Sequence, residues 1–368
     1  MVRVTIPPYR GIRFENDRRA YLRSLASTDK PHSEDDIQYV SRGMSGILID
    51  RNKSFDFHNG EFEFPNLTPI PKITTPLSIE ECIEDSVFGL SAEAYAKEYT
   101  EEKNIYILWS GGIDSTVALL GCWKYNKSLF TDDRITVLHS PSSIKESPFM
   151  YKWIKENNIK TIETNSVVNY IKDDLKNQCA SNLYVTGEIG DQIMGNFANL
   201  ASFPLLNDEE NFLSKDIFSV LKPIEDKKER DAWSEFYHTI YDNRLTEIET
   251  VFDLLSWATF SCKYEHPKYR IWLSIERRIN TYSFYDTDEF QNWSLNNDWR
   301  QKCNGNWWTQ YKMPLKKFIH DVTGSEYALT MYKQRSLIKD HSMTGRSLFY
   351  IDENLNLKPA DGRGKILT

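Results

Sequence analysis

The chain has 368 residues, with 45 Lys and Arg against 53 Asp and Glu and a formal net charge of −8. That balance argues against a nucleic-acid partner, which needs a dense basic face, and 40% hydrophobic with 13% aromatic content argues against a disordered chain. The length allows two domains, or one large domain with an appendage.

The five cysteines, Cys82, Cys122, Cys179, Cys262 and Cys303, form no CxxC pair. Such scatter argues against a disulfide framework or a zinc site and for a reducing compartment. No apolar stretch approaches membrane-span length, and the N-terminal MVRVTIPPYRGIRF lacks a signal-peptide core. A cytoplasmic location without a membrane partner is the expectation. The run from Asp226 to Asp231 mixes signs and reads as a solvated helix face.

In chain order, Gly46 to Phe64 alternates apolar and polar residues, with turn signals at Asn52 and Asn59-Gly60. This predicts a hairpin in a small β-containing N-terminal domain, residues 1–80. Pro65, Pro69, Pro71 and Pro76 then mark a linker or an extended segment lying over a surface. From residue 104 strands and helices alternate. Strands are predicted at 105–109, 134–139, 160–163 and 182–186, and helices at 115–125, 148–157 and 167–177. The pattern implies a doubly wound, mostly parallel α/β sheet. Strand signals fade after about residue 205. Helical patterns dominate 231–280 and 315–333, and Ser347 to Pro359 reads as a hairpin.

Two Gly-rich loops end apolar strands. The first is Ser110-Gly111-Gly112-Ile113-Asp114-Ser115. Glycines let phosphate oxygens approach the backbone, helix N-terminal amides face the anion, and Ser110 and Ser115 add hydroxyl donors. Asp114 suits such a place if Mg²⁺ lies between it and the phosphates. The spacing matches neither a Walker A loop nor a dinucleotide loop. A bland alternative is a Gly-Gly turn with Ser or Asp as N-cap. The second loop is Gly187-Glu188-Ile189-Gly190-Asp191-Gln192. In a parallel sheet it opens on the same edge as the first, where Asp114 and Asp191 could share a metal. Its bland alternative is a surface β-turn.

The first loop matches the SGGxDS signature of the PP-loop ATP pyrophosphatases. The second resembles the GEGSD loop in the synthetase domain of asparagine synthetases, with Ile189 for Gly, Gly190 for Ser and Gln192 for the usual Glu. Tyr282 to Leu295 is similar to that family's PFLDxxLVEFALSLP segment, Lys312 to Val322 to its KxxLRKAL helix, and Met331 to Gln334 to its RxKQ element. The resemblance spans about residues 86 to 340, thinly in the middle. It implies a PP-loop (adenine nucleotide α-hydrolase-like) fold over residues 81–340, with a helical C-terminal part and a tail at 341–368.

The resemblance also implies roles. ATP and Mg²⁺ are the expected cofactors. Ser110, Gly111, Gly112, Asp114, Ser115, Leu138 and Gly187 would contact ATP or pyrophosphate, and Asp114 and Asp191 would hold the metal. Lys333 would stabilise charge at the α-phosphorus, with Lys312 as the fallback, and Glu188 would take a proton from the amine. His139 could line the adenine site through its backbone, although plain packing is an equal reading. Trp307-Trp308 reads as core or as a substrate-pocket wall, with core favoured, and Cys262 and Cys303 read as buried small hydrophobes.

The implied activity is ATP-dependent amide-bond formation through an acyl-adenylate, on a small-molecule or peptide carboxylate with ammonia or an amine. Glutamine-dependent asparagine synthetases carry a Cys after the initiator Met. Here Val2 stands there, and no Cys precedes Cys82. Ammonia would therefore be free, or come from a separate glutaminase, or be replaced by a substrate amine as in the related β-lactam synthetases and lasso-peptide cyclases. Competing readings are a PP-loop enzyme modifying nucleobases in tRNA, and a non-catalytic ATP-binding module.

Overall fold

A computed structural model describes residues 49–54, 67–94, 104–165, 182–195, 213–222, 227–265, 280–302 and 312–330, scattered positions between 167 and 174, residue 267, and the backbone at 349–351 and 357–359. The strands β1 (Ile105–Leu108), β2 (Ile135–His139), β3 (Thr161–Glu163), β4 (Leu183–Thr186) and β5 (Asn280–Ser283) form one sheet in the order β3-β2-β1-β4-β5. Every neighbouring pair is parallel, so the chain is an α/β protein. The apolar runs of β1, β2 and β4 are buried along their whole length. Side chains alternate between sheet faces. Ile105, Ile107, Val137 and Val185 accordingly enter one apolar cluster, and Tyr106, Leu108, Leu138 and Tyr184 another. Burial on both faces is what continuous apolar strands require.

Among the described residues the α-helices of five or more residues are α1 (Ile79–Ala94), α2 (Ile113–Tyr125), α3 (Pro141–Glu146), α4 (Pro148–Glu156), α5 (Gly190–Met194), α6 (Lys227–Asp242), α7 (Val251–Cys262), α8 (Asp288–Asn296), α9 (Met313–Thr323) and α10 (Glu326–Thr330). Helix α1 lies close on α2 because Gly121 has no side chain; a Cβ there would stand 2.8 Å from Ile83. All of α7 is buried, and a capping box between Thr250 and Asp253 starts it. Helix α9 stacks Phe318 on Tyr125 of α2, ring centroids 6.4 Å apart. Among the described residues no helix is long and apolar enough to cross a membrane.

The predicted strands at 105–109, 134–139, 160–163 and 182–186 and the helices at 115–125 and 148–157 all form, within a residue or two of their expected ends. The expected helix at 167–177 is helical where it is described. The expected hairpin near the C-terminus forms as β6 (Phe349–Ile351) paired antiparallel with β7 (Leu357–Pro359). Three readings need correction. Strand β5 was not expected after residue 205. Within the helical stretch 231–280 the described residues form α6 and α7, separated by Asn243 to Thr250, and Asn280 stands in β5, while 266 and 268–279 lie outside the described residues. The helix expected at 315–333 breaks at Gly324, whose φ of 69° caps α9; beyond Thr330 the prediction lies outside the described residues.

Of the predicted N-terminal hairpin only Ile49 to Ser54 is described, including a turn at Asn52. Arg51 is its anchor. The guanidinium lies 3.7 Å from the Tyr264 ring centroid and 4.6 Å from that of Phe260. It donates to Gln291 Oε1 at 2.8 Å and to the Phe260 carbonyl at 3.1 Å. The described part of the proline-rich connection, 67–78, has no regular secondary structure and is hydrogen-bonded to the α/β unit. Thr68 N–H donates to Glu265 Oε1 at 2.7 Å, and Thr74 N–H to Asn292 Oδ1 at 2.9 Å. Cys82, Cys122 and Cys262 are buried free thiols.

Lys302 is 5% exposed and its Nζ donates to Ser294 Oγ at 3.0 Å. Burial pushes its ammonium down to about 8, against the pull of Asp253 and Asp298. Between about pH 8 and the ordinary lysine range, the unfolded chain holds this proton and the folded chain does not, so stability rises with pH across that window. Lys302→Met is therefore expected to be more stable than the native protein by on the order of 3 kcal/mol at neutral pH. More than half of that gain should vanish by about pH 9.5. Urea melts of both proteins at the two pH values check this; a gain independent of pH would show that the charge is not the cause.

Candidate functional site

The strand order reverses between β1 and β4: β2 and β3 lie on one side of that junction and β5 on the other. At such a switch point the loops leaving the carboxyl ends of the strands diverge and open a crevice. The two Gly-rich loops leave β1 and β4, and so flank it together.

The first loop is braced by its own hydroxyls. Ser115 Oγ accepts the Ser110 N–H at 3.1 Å and donates to the Gly112 carbonyl at 3.2 Å. Ser110 Oγ lies 3.1 Å from Ser115 Oγ and accepts the Gly112 N–H at 3.3 Å. Gly111 has φ 81°, and a Cβ there would sit 2.4 Å from the Ser143 carbonyl oxygen, so neither the conformation nor the space admits a side chain. The N-cap of α2 is Gly112, with no side-chain cap. Asp114 is therefore not the N-cap of the bland reading, and its carboxylate is directed elsewhere.

The second loop packs directly on the first. A Cβ on Gly187 would stand 2.7 Å from the Ser115 nitrogen, and one on Gly190 would stand 2.6 Å from Asp114 Cγ. Ile189, where the resembling family has Gly, takes φ 76° and is 1% exposed. A β-branched residue in that region is strained, and burial of its side chain offsets the strain. Asp191 stands in the first turn of α5. Glu188 is half-buried in the loop, its N–H bonded to Thr186 Oγ1 at 3.0 Å.

Lys312 joins the loops. It precedes α9 with φ 54° and is 1% exposed. Its Nζ donates to both oxygens of Asp114, at 2.5 Å to Oδ1, and to Asp191 Oδ1 at 2.6 Å. Burial alone would lower its pKa, but Asp114 and Asp191 outweigh that and hold it raised. The carboxylates keep 20% and 35% side-chain exposure, against 2% for the lysine.

This arrangement fits a divalent cation. Two carboxylates from different loops already share one positive charge, and Mg²⁺ commonly takes one or two carboxylates and completes its shell with substrate phosphates and water. Among the described residues no group of three or more His, Cys, Asp or Glu could hold a metal by itself, so bound phosphate would have to supply the remaining ligands.

Of the predicted residues, Ser110, Gly111, Gly112, Asp114, Ser115, Gly187, Glu188, Asp191 and Lys312 come together at this edge. Leu138 does not join them as a side chain. It is fully buried in the cluster with Tyr106 and Tyr184, and its carbonyl accepts the Trp109 N–H at 2.9 Å. Lys333 lies outside the described residues. His139 is 1% exposed, its ring edge-on to Tyr151 at 5.2 Å, and burial lowers its pKa. The sequence did not single out Tyr285, which donates to the Asp114 carbonyl at 3.1 Å and fixes the start of α2. Its only sequence signal was its place in the segment similar to PFLDxxLVEFALSLP.

No protein-family model matches the chain, and no curated protein matches it.

Proposed function

We propose that the protein binds Mg·ATP at this edge and cleaves it to AMP and pyrophosphate while joining a substrate carboxylate to ammonia or an amine. The observation that carries the reading is Lys312 lodged between Asp114 and Asp191, directly beside the Ser110–Ser115 loop.

Asp114 and Asp191 would hold the metal, which when bound neutralises charge on the phosphates. The amides and hydroxyls of Ser110 to Ser115 would bind the departing pyrophosphate. The substrate carboxylate attacks the α-phosphorus and pyrophosphate leaves. Lys312 stabilises the charge that develops in that step, the role the family resemblance gives first to Lys333. An amine then attacks the acyl-adenylate, Glu188 accepts its proton, and AMP leaves.

A second reading treats the Asp114–Lys312–Asp191 triad as a structural clamp in a non-catalytic ATP-binding module. It is favoured by the way Ser110 and Ser115 bond within their own loop.

The test is ATP turnover with product identification, in the presence of Mg²⁺, ammonium and a small-metabolite extract, beside an Asp191→Ala control. AMP and pyrophosphate from the native protein alone support the ligase. ADP and phosphate would sink it. Tight ATP binding without turnover selects the clamp, and turnover that requires added RNA selects a tRNA-modifying enzyme.

A further inference from the structure

A second cavity, of about 360 Å³, lies between α7, α8 and the turn from Asp298 to Lys302. Its size suits a small metabolite. Four buried polar side chains line it, Asp253, Ser256, Ser294 and Lys302, and the Asp253 carboxylate is taken up by Thr250 and by the Trp299 N–H. Lys302 has three N–H donors, and the described residues supply one partner, Ser294 Oγ. Ser256 is 6% exposed, and its buried Oγ has no hydrogen-bond partner among the described residues. A hydroxyl and an ammonium buried in the wall of one cavity and short of partners among the described residues cost stability, and one ligand carrying carboxylate oxygens would supply both. The outer lining is acidic: Glu247 and Glu249 are exposed, with Asp298 half-buried beside them. Arg300 pairs with Glu249 and Asp298, which leaves Glu247 as the acid best placed to meet a cation.

The cavity is also distinct from the sheet-edge site. Ser294 Oγ, the partner of Lys302, donates to the Ile193 carbonyl at 2.8 Å. A Cβ on Gly195 would collide with Ser256 Oγ. Both contacts fall at the carboxyl end of α5, whereas Asp191 stands at its amino end.

We propose that this cavity is a second ligand site, which takes a small zwitterion: its carboxylate meets Lys302 and Ser256, and its ammonium meets the acidic mouth at Glu247. The stability cost of Lys302 is then the cost of a binding group kept ready for its ligand. The site stands whether or not the sheet edge proves to be a ligase.

The test is isothermal titration calorimetry of the full chain, without nucleotide, against the ω-amino acids from glycine to 6-aminohexanoate, with the matching simple carboxylates and amines. At one chain length the zwitterion should bind at least ~10-fold more tightly than either single-charge analogue, since each charge-assisted contact adds roughly a tenfold factor. Lys302→Met should abolish binding of zwitterion and carboxylate alike. Glu247→Gln, on the exposed rim, should bring the zwitterion down to the carboxylate's affinity. Asp191→Ala should change neither. No saturable binding by any member, unchanged affinity in Lys302→Met, carboxylates binding as tightly as zwitterions, or loss of binding in Asp191→Ala would each overturn the proposal.

Discussion

Lys312→Met should lower ATP turnover by about 10²–10³-fold, the usual cost of removing a preorganised charge donor at a reacting centre. It should also change what Mg²⁺ does to stability. The native ammonium offsets one of the two negative charges of Asp114 and Asp191, which both reach it from their separate loops. Without it two carboxylates remain close together. Breaking a buried pair costs about 3–5 kcal/mol, but these carboxylates are partly exposed, so solvent screening reduces the expected loss to about 1–3 kcal/mol. Mg²⁺ can then occupy the vacated position. Urea melts in EDTA and in Mg²⁺ should show a larger metal-dependent gain for the variant than for the native protein. Equal gains would mean that Lys312 does not compete with the metal for these carboxylates, and no gain in either protein that the metal does not use them. Native-like turnover would remove Lys312 from the chemistry and leave Lys333 to supply the charge.

Gly187→Ala should separate the two loops. Its Cβ would meet the Ser115 nitrogen at 2.7 Å and the Asp114 carbonyl carbon at 2.9 Å. Both are backbone atoms at the start of α2, where no flexible side chain can give way. Overpacking of this kind costs about 1–3 kcal/mol. The larger effect falls on function, because a displacement of about 1 Å between reacting groups costs on the order of 10²-fold in rate. Gly324→Ala is the matched control. Gly324 also has positive φ, 69°, but nothing lies within 4 Å of a Cβ there. It should lose about 1 kcal/mol through backbone strain and keep its turnover. Equal turnover losses in the two variants would show that the effect is general destabilisation and that contact between the loops is irrelevant.

The sequence by itself determined the centre of the sheet. Strands β1, β2 and β4 are continuous apolar runs, and a run of that kind is stable only when both sheet faces are covered. Both Gly-rich loops were legible for a related reason: a conformation such as φ 81° at Gly111 admits few residues. The hairpin near the C-terminus was legible from its turn residues.

Only the tertiary structure decided the rest. Asn280 to Ser283 is half-buried throughout and too polar to announce a strand; β4, its hydrogen-bonded neighbour, makes it one. Lys302, in the polar stretch Trp299-Arg300-Gln301-Lys302, reads locally as solvated, yet it is buried against Ser294. Lys312 lies 198 residues from Asp114, and nothing in its own segment shows which carboxylates it meets. That meeting depends on the packing of α9 against α2, through Phe318 and Tyr125. Periodicity and turn chemistry report what each segment needs from its surroundings. Which segments supply it is set by the simultaneous burial of all their faces, a property of the whole chain that no local window contains.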